Sequence, residues 1–282
     1  KATAYGARAD SMTGVAVSIL ADRIEAVLVD PTDAGHPIAD LSIEGVERSP
    51  VTDVTRAVDA ACATAGVDRA SVSVVAVGVQ AAVDADTDRL TFTDTLPGWP
   101  ERGARALIEA GTGLTTTVEN DVNLAAMAER AITDEADFVF LWLGSGLGTG
   151  INVDGLVRRG ASGSAGEIGY LEVPRSAIAL DPAAETFTDL LGGPAIARLL
   201  GHPAADFTAA LKELPQNEPV LAELAVRVVM LVDVITAVLD PACVVLGGPT
   251  GLAGGDRLAE LVQARVRASR AGDEPVLQGA RQ

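Results

Sequence analysis

The stretch LWLGSGLGTGINVDGLV, Leu141 to Val157, limits the folds open to this chain more than any other. Its glycine spacing superficially matches a dinucleotide fingerprint, but that fingerprint needs a helix to open directly after the glycines. Here INVDGLV follows, and it reads as a strand. GSGLGTG, Gly144 to Gly150, is therefore the turn region of a β-hairpin. Backbone amides around Gly144, Ser145, Gly146 and Gly148 can face a phosphate, as glycine-rich turns do. A plain tight turn accounts for the glycines equally well.

Upstream, VENDVNLAAMAER passes from a strand ending at Asn120 to a helix over Val122 to Ile132. Asn and Asp at such a junction suit helix capping. Asp121 also stands at a strand's carboxyl end, where α/β sheets bind ligands, and there its carboxylate can accept a hydrogen bond or proton from a hydroxyl. Downstream, Glu167 lies in GSAGEIGY, whose small residues leave one carboxylate little cover; a solvated loop acid is the plain alternative.

The remaining pattern is α/β. Two β-rich runs between Met12 and Asp30 break at Ala21-Asp22, a hairpin, and Ile38 to Ile43 supplies another strand. A helix spans Val51 to Ala65 and stops near Gly66, and a Val-rich strand spans Ser73 to Val79. A helix from about Glu101 to Glu109 precedes the strand into Asn120. Phe138 to Leu143 and Gly150 to Val153 are strands, with a short one around Tyr170 to Val173. Helices over Gly193 to Leu200, Ala204 to Leu214 and Glu218 to Leu239 follow, then strand Cys243 to Leu246 and a helix from Gly255 to Ser269.

A formal charge of −18 excludes a chain that grips nucleic acid by itself, because phosphate contacts need arrayed Lys and Arg. The only lysines are Lys1 and Lys212, and the arginines are scattered. No apolar run is long enough to cross a membrane, and the amino terminus has no signal pattern, which points to the cytoplasm. Cys62 and Cys243 sit in apolar stretches as buried thiols, forming neither a disulfide framework nor a zinc cluster. His36 and His202 lie beside prolines in loop-like context and read as surface residues.

VENDVNLAAMAER, LGSGLGTGINVDGLVRRGASGSAGEIGY and LDPACVVLGGP, taken in order, resemble the ROK family of repressors and sugar kinases. The resemblance runs from about Gly14 to about Gly279. It implies a two-lobed actin-like, ribonuclease H-like (hexokinase-type) ATPase fold. Residues 1–13 would be a linker from a missing winged helix-turn-helix domain, 14–118 a smaller lobe, and 119–282 a larger lobe with a dimerisation surface. By the resemblance Asp121 is the catalytic base and a sugar contact in kinases, and Asn120 and Glu167 bind sugar hydroxyls. Tyr170 takes the place of a histidine beside the sugar.

Departures from the family pattern shape the functional expectation. Kinases of the family open with a turn like DIGGT, whose Asp helps hold a metal; here SILAD puts Ser18 at the Asp and Leu20 at a glycine. Phosphoryl transfer depends on charge neutralisation, so that loss is severe. The family's PGP loop becomes Gln80-Ala81-Ala82, and a further sugar-contacting Glu becomes Thr188. The family's zinc uses a histidine and three cysteines; Tyr170 and the Cys-free stretch Ala177 to Leu190 imply no metal site. EPVLQGARQ reads as stopping short of one last helix. The expectation is the sugar-sensing, homodimeric effector part of a transcriptional regulator that does not phosphorylate its ligand, binds no cofactor, and reaches DNA only through the missing domain. The alternative is an ATP-dependent sugar kinase using ATP and Mg, with Asp121 as base. Asn120, Asp121 and Glu167 argue against a third option, an empty scaffold that only dimerises.

Overall fold

The computed structural model describes residues 12–32, 35–262 and 265–282. The expected linker falls, up to residue 11, outside these. Two compact units are present: residues up to Leu124 with Val276–Gln282, and Ala125–Pro275. Among the described residues no helix is long and apolar enough to cross a membrane.

In the first unit Thr13–Ile19 (β1) and Arg23–Val29 (β2) make the expected hairpin, closed by the Leu20 N–H donating to the Arg23 carbonyl at 2.9 Å. Ala39–Ser42 (β3) pairs antiparallel with β2. Pro50–Ala65 (α1) forms because Ser49 Oγ accepts from the Thr52 N–H at 3.1 Å and Pro50 sits in the first turn. Gly66 ends it at φ 68°, a left-handed conformation natural to glycine. Val72–Val79 (β4) runs parallel to β1. A hairpin not anticipated from the sequence follows, Ala82–Asp84 (β5) with Arg89–Thr91 (β6). It delays the next helix to Ala104–Thr112 (α2), because the Asp88 carboxylate accepts from the Arg105 and Ala106 N–H groups at 3.1 and 3.0 Å and so caps the helix from a distance. Thr115–Asn120 (β7) then pairs parallel with β4, and Asp121–Ala131 (α3) opens at once. The sheet order is β3-β2-β1-β4-β7. Its central strand β1 is buried nearly throughout, as expected of a strand covered on both faces.

The second unit repeats this plan. Phe138–Leu143 (β8), Leu147–Val153 (β9) and Leu156–Val157 (β10) form the antiparallel part. Phe187–Leu191 (α4), Gly193–Leu199 (α5), Phe207–Ala210 (α6) and Glu218–Leu239 (α7) intervene. Cys243–Gly247 (β11), Gly248–Val262 (α8) and Val266–Ala268 (β12) complete it, with order β10-β9-β8-β11-β12. In both sheets the first three strands in sequence pair antiparallel and the last two add parallel, a ribonuclease H-like arrangement duplicated in one chain.

Several local expectations are corrected. The segment from Ala204 to Leu214 is not one helix but α6 flanked by 3₁₀ turns, Ala204–Asp206 and Leu211–Gln216, between Pro203 and Pro215. The last long helix ends at Val262, and its expected tail is instead β12, whose Val266 pairs with Val244. Tyr170 to Val173 is not a strand: Ile168–Tyr170 is a 3₁₀ turn, and only Glu172 bridges to Thr186. Within EPVLQGARQ, Pro275–Ala280 forms a helix (α9) in the first unit. Its Leu277 is buried with Ala16 and Val27, and a Cβ on Gly78 would lie 2.7 Å from Val276 Cγ1, so glycine in β4 makes room for it. His36 and His202 are partly covered and reach carboxylates, Asp30 at 2.9 Å and Glu213 at 3.0 Å.

Candidate active site

In the first unit the parallel strands β1, β4 and β7 end level, with Ile19 aligned on Val79 and Val79 on Asn120. Ligands of α/β sheets bind at such carboxyl ends. Asn120 serves the local structure with both ends of its amide. Its Oδ1 accepts from the Asn123 N–H at 3.0 Å, capping α3, and its Nδ2 donates to the Ala81 carbonyl at 3.0 Å. The loop after β4 is thereby tied to the strand that carries the acid. Buried Glu119 braces the junction through Oε1, which accepts from the Asn120 N–H at 2.9 Å and from Asn123 Nδ2 at 3.0 Å. Asp121 is 7% exposed and heads α3; its Oδ1 accepts from the Val122 N–H at 2.8 Å. The first turn of a helix, with its unpaired N–H groups, favours an anionic oxygen there. Both neighbours thus accept backbone N–H groups at the start of α3.

One residue of this loop was read from the sequence only as a departure. Gln80 follows β4, and its Oε1 is buried without a hydrogen-bond partner among the described residues. Ser18 is buried in β1, aligned with Gly78 on one side and Glu25 on the other.

In the second unit Gly144, Ser145 and Gly146 make the turn between β8 and β9, with the Gly144 N–H donating to the Gly146 carbonyl at 3.1 Å. Gly148 is not in the turn; it lies in β9 opposite Trp142. Two further glycine turns meet this one, Gly247-Gly248 within the LDPACVVLGGP motif and Gly192-Gly193, which sequence reasoning missed. The Ser145 carbonyl accepts from the Gly193 N–H at 3.2 Å, and a Cβ on Gly248 would lie 2.7 Å from the Leu143 carbonyl oxygen. The available signal was the recurrence of glycine pairs at Gly192-Gly193 and Gly247-Gly248, each opening a helix.

Glu167 precedes the 3₁₀ turn Ile168–Tyr170. Gly166, at φ 97°, lets its carbonyl accept from the Thr149 N–H at 2.9 Å, and a Cβ there would collide with the Thr149 carbonyl oxygen, 2.0 Å away. Glu167 is thereby held against β9, and burial pushes its carboxyl above the ordinary glutamate range. Tyr170 is 53% exposed. Among the predicted site residues, Asn120 and Asp121 come together in the first unit; Glu167, Tyr170 and the glycine turn belong to the second.

The chain is 31% identical over 188 residues to the bifunctional enzyme NanE/NanK of Brucella suis, covering 64% of this chain and 35% of that protein. It is 32% identical over 148 residues to a β-glucoside kinase of Listeria innocua, half of each chain. The chain thus spans between about a third and a half of these relatives' length. In three dimensions it matches a ROK family glucokinase from Streptomyces griseus, in complex with glucose and AMPPNP, with a TM-score of 0.75 at 24% identity, covering 95% of this chain and 97% of that one. At that identity the match shows the fold, the actin-like, hexokinase-type ATPase architecture expected from the sequence.

The expectation of a regulator that senses sugar without phosphorylating it is corrected. The similar proteins are mostly sugar kinases, and they favour the alternative. Ser18 and Leu20 depart from the family's opening turn, while the Asn-Asp pair and the glycine turns are present in this chain. The profile of the ROK family matches residues 22–275, and the chain belongs to that family.

Proposed function

We propose that this protein is an ATP-dependent sugar kinase. The observation that carries this reading is the β7–α3 junction, where Asp121, next to Asn120, places a buried carboxylate at the carboxyl end of a parallel strand and at the head of a helix. In the proposed reaction Asp121 accepts the proton of a sugar hydroxyl as that oxygen attacks the terminal phosphorus of ATP. The phosphorus–oxygen bond to ADP breaks, giving sugar phosphate and ADP. By the family resemblance, Asn120, Glu167 and Tyr170 are the further candidates for binding sugar hydroxyls. Backbone amides of the Gly144–Gly146 turn, with Gly193 and Gly248, are the candidates for holding the phosphates of ATP, and a metal bound with ATP would supply further neutralisation of the developing charge. Support comes from the kinases among the chain's relatives and from the retained acid and glycine turns. Ser18 brings no carboxylate to β1, so this strand would offer no acid to a metal at that position. A coupled assay for ADP release with glucose, a β-glucoside and N-acetylated hexosamines tests the proposal; background rates with every sugar, at protein concentrations that detect one turnover per minute, refute it.

Acidity provides a second check. Sugar hydroxyls donate to the ionised form of Glu167, and burial makes that form costly. Sugar affinity should therefore fall on acidification through a pH above the ordinary glutamate range, and return as pH rises. The fold's own dependence has the opposite sign: because the folded carboxyl is raised, native stability decreases as pH climbs from the unfolded value through the folded one. Binding isotherms across pH, with Glu167→Gln as control, should show an acid limb that the variant lacks.

A further inference from the structure

The resemblance implies a zinc ion near Glu167, and the residues of this chain do not fit one. Tyr170 stands at the histidine position, the stretch from Ala177 to Leu190 has no cysteine, and among the described residues no three His, Cys, Asp or Glu side chains gather as a metal site. Zinc would have tied distant parts of this segment together, so its organisation must come from elsewhere.

It comes from α7. The Arg227 side chain is 3% exposed, and its guanidinium reaches two points of the Cys-free stretch, ten residues apart. Nη1 donates to the Leu190 carbonyl at 2.9 Å and Nη2 to the Leu180 carbonyl at 3.2 Å, while Glu223 Oε1 accepts from Nη2 at 2.7 Å and balances the charge. A planar fork of donors suits this bridging, which a lysine's single ammonium cannot copy. Nε finds no partner among the described residues, so the effect is carried by the two terminal nitrogens.

Between the two pinned carbonyls, α4 is fixed by a capping box. Asp189 N–H donates to Thr186 Oγ1 at 3.3 Å, and the Thr186 N–H donates back to Asp189 Oδ2 at 2.9 Å. From α4 the contacts pass to the turn after Glu167. Thr188 Oγ1 donates to the Gly169 carbonyl at 3.0 Å, and the Phe187 N–H donates to the Leu171 carbonyl at 3.0 Å. Gly169 packs so closely that a Cβ would lie 2.6 Å from Thr188 Oγ1 and 2.9 Å from the Leu147 carbonyl oxygen.

We propose that Arg227 is the positioning residue for Glu167: its guanidinium organises the 180–190 segment in place of a metal, and α4 transmits that order to the Glu167 turn through Thr188. The role of Glu167 in sugar binding rests on the kinase reading; the organisation of the segment does not.

Hydrogen exchange resolved by peptide, on the full chain, separates the two. In the wild type, excess chelator should leave exchange over residues 168–192 and the melting temperature unchanged. Arg227→Met should speed exchange at least about tenfold over both 180–192 and 168–171, whereas Thr188→Val should do so only over 168–171. If Arg227→Met does not fold, Arg227→Lys serves, since it keeps the charge and loses the fork. In a folded variant, glucose affinity should fall by roughly tenfold or more, and its acid limb should move toward the ordinary glutamate range as Glu167 gains solvent. Stoichiometric zinc together with melting lowered by chelation overturns the proposal. So does exchange over 168–171 that ignores Arg227, whatever the sugar assays give. Exchange that responds while affinity and acid limb stay fixed refutes the positioning of Glu167 and leaves the kinase reading standing. Absence of sugar turnover in the wild type refutes the kinase reading, and the exchange pattern still decides the arginine's role.

Discussion

Asp121→Asn should lower sugar-dependent ADP release by about 10²- to 10⁴-fold while leaving the fold intact, the range associated with losing a positioned general base. Asparagine keeps an oxygen that can accept from the Val122 N–H, as Asp121 Oδ1 does at 2.8 Å, so the start of α3 should survive. What it loses is the capacity to take a proton. Because the amide can still bond a hydroxyl, the change should fall mainly on kcat, with KM moving far less. Asn120→Ala should behave differently. It removes the α3 cap and the tether to the Ala81 carbonyl together, so its effects should appear in stability and in KM. Steady-state kinetics and thermal melts of both variants test the division of labour. An Asp121→Asn protein within threefold of wild-type kcat would mean that the proton goes elsewhere.

The sequence made the strand–helix order legible wherever local chemistry decides it. Gly66 ends α1, INVDGLV after the glycines reads as the strand that is the latter part of β9, and the Asn-Asp pair marks where β7 becomes α3. It failed where a distant partner decides. Nothing near Glu101 shows that Asp88 will cap α2 from across a hairpin, and nothing in the stretch toward Ser269 shows that β11 will draw Val266–Ala268 into a strand. For the candidate site, the residue types and their order were readable, and so were the substitutions at Ser18 and Leu20. The weight of those substitutions was not. One turn can lose a carboxylate while the acid of the Asn-Asp pair and the glycine turns remain, and residue types alone do not rank these contributions. Arg227 was invisible for a similar reason: an arginine within an apolar helical run reads as a solvated position until the Leu180 and Leu190 carbonyls are seen around it.

The same α3 that begins with Asp121 is anchored two turns later by Glu129, and this anchor yields the largest expected loss of stability. Glu129 is fully buried and its carboxylate accepts from Arg267 Nη1, from Ser269 Oγ at 2.7 Å and from the Arg270 N–H at 3.1 Å. All three donors lie in and just after β12, so one carboxylate joins the helix to the edge of the second unit's sheet. Arg267 also approaches Glu135 at 3.7 Å, and the Cys243 thiol donates to Glu135 at 2.6 Å. Beside that carboxylate, burial and the neighbouring charge push the thiol up to about 12, so Cys243 remains protonated and inert. Glu129→Ala deletes the principal acceptor of a half-buried guanidinium and strands a serine hydroxyl and a backbone N–H. Breaking a buried pair from one side costs about 3–5 kcal/mol. For a protein of this size that corresponds to a melting temperature lower by roughly 6–20 °C. Glu129→Gln keeps acceptors for Ser269 and Arg270 while weakening the bond to Arg267, so it should lose clearly less. Replacing both Glu129 and Arg267 with apolar residues should recover part of the loss, because no unpaired charge then remains inside. Differential scanning calorimetry of the two single variants and the double variant decides the matter. If Glu129→Ala melts within 2 °C of the wild type, the carboxylate is not what holds α3 to β12.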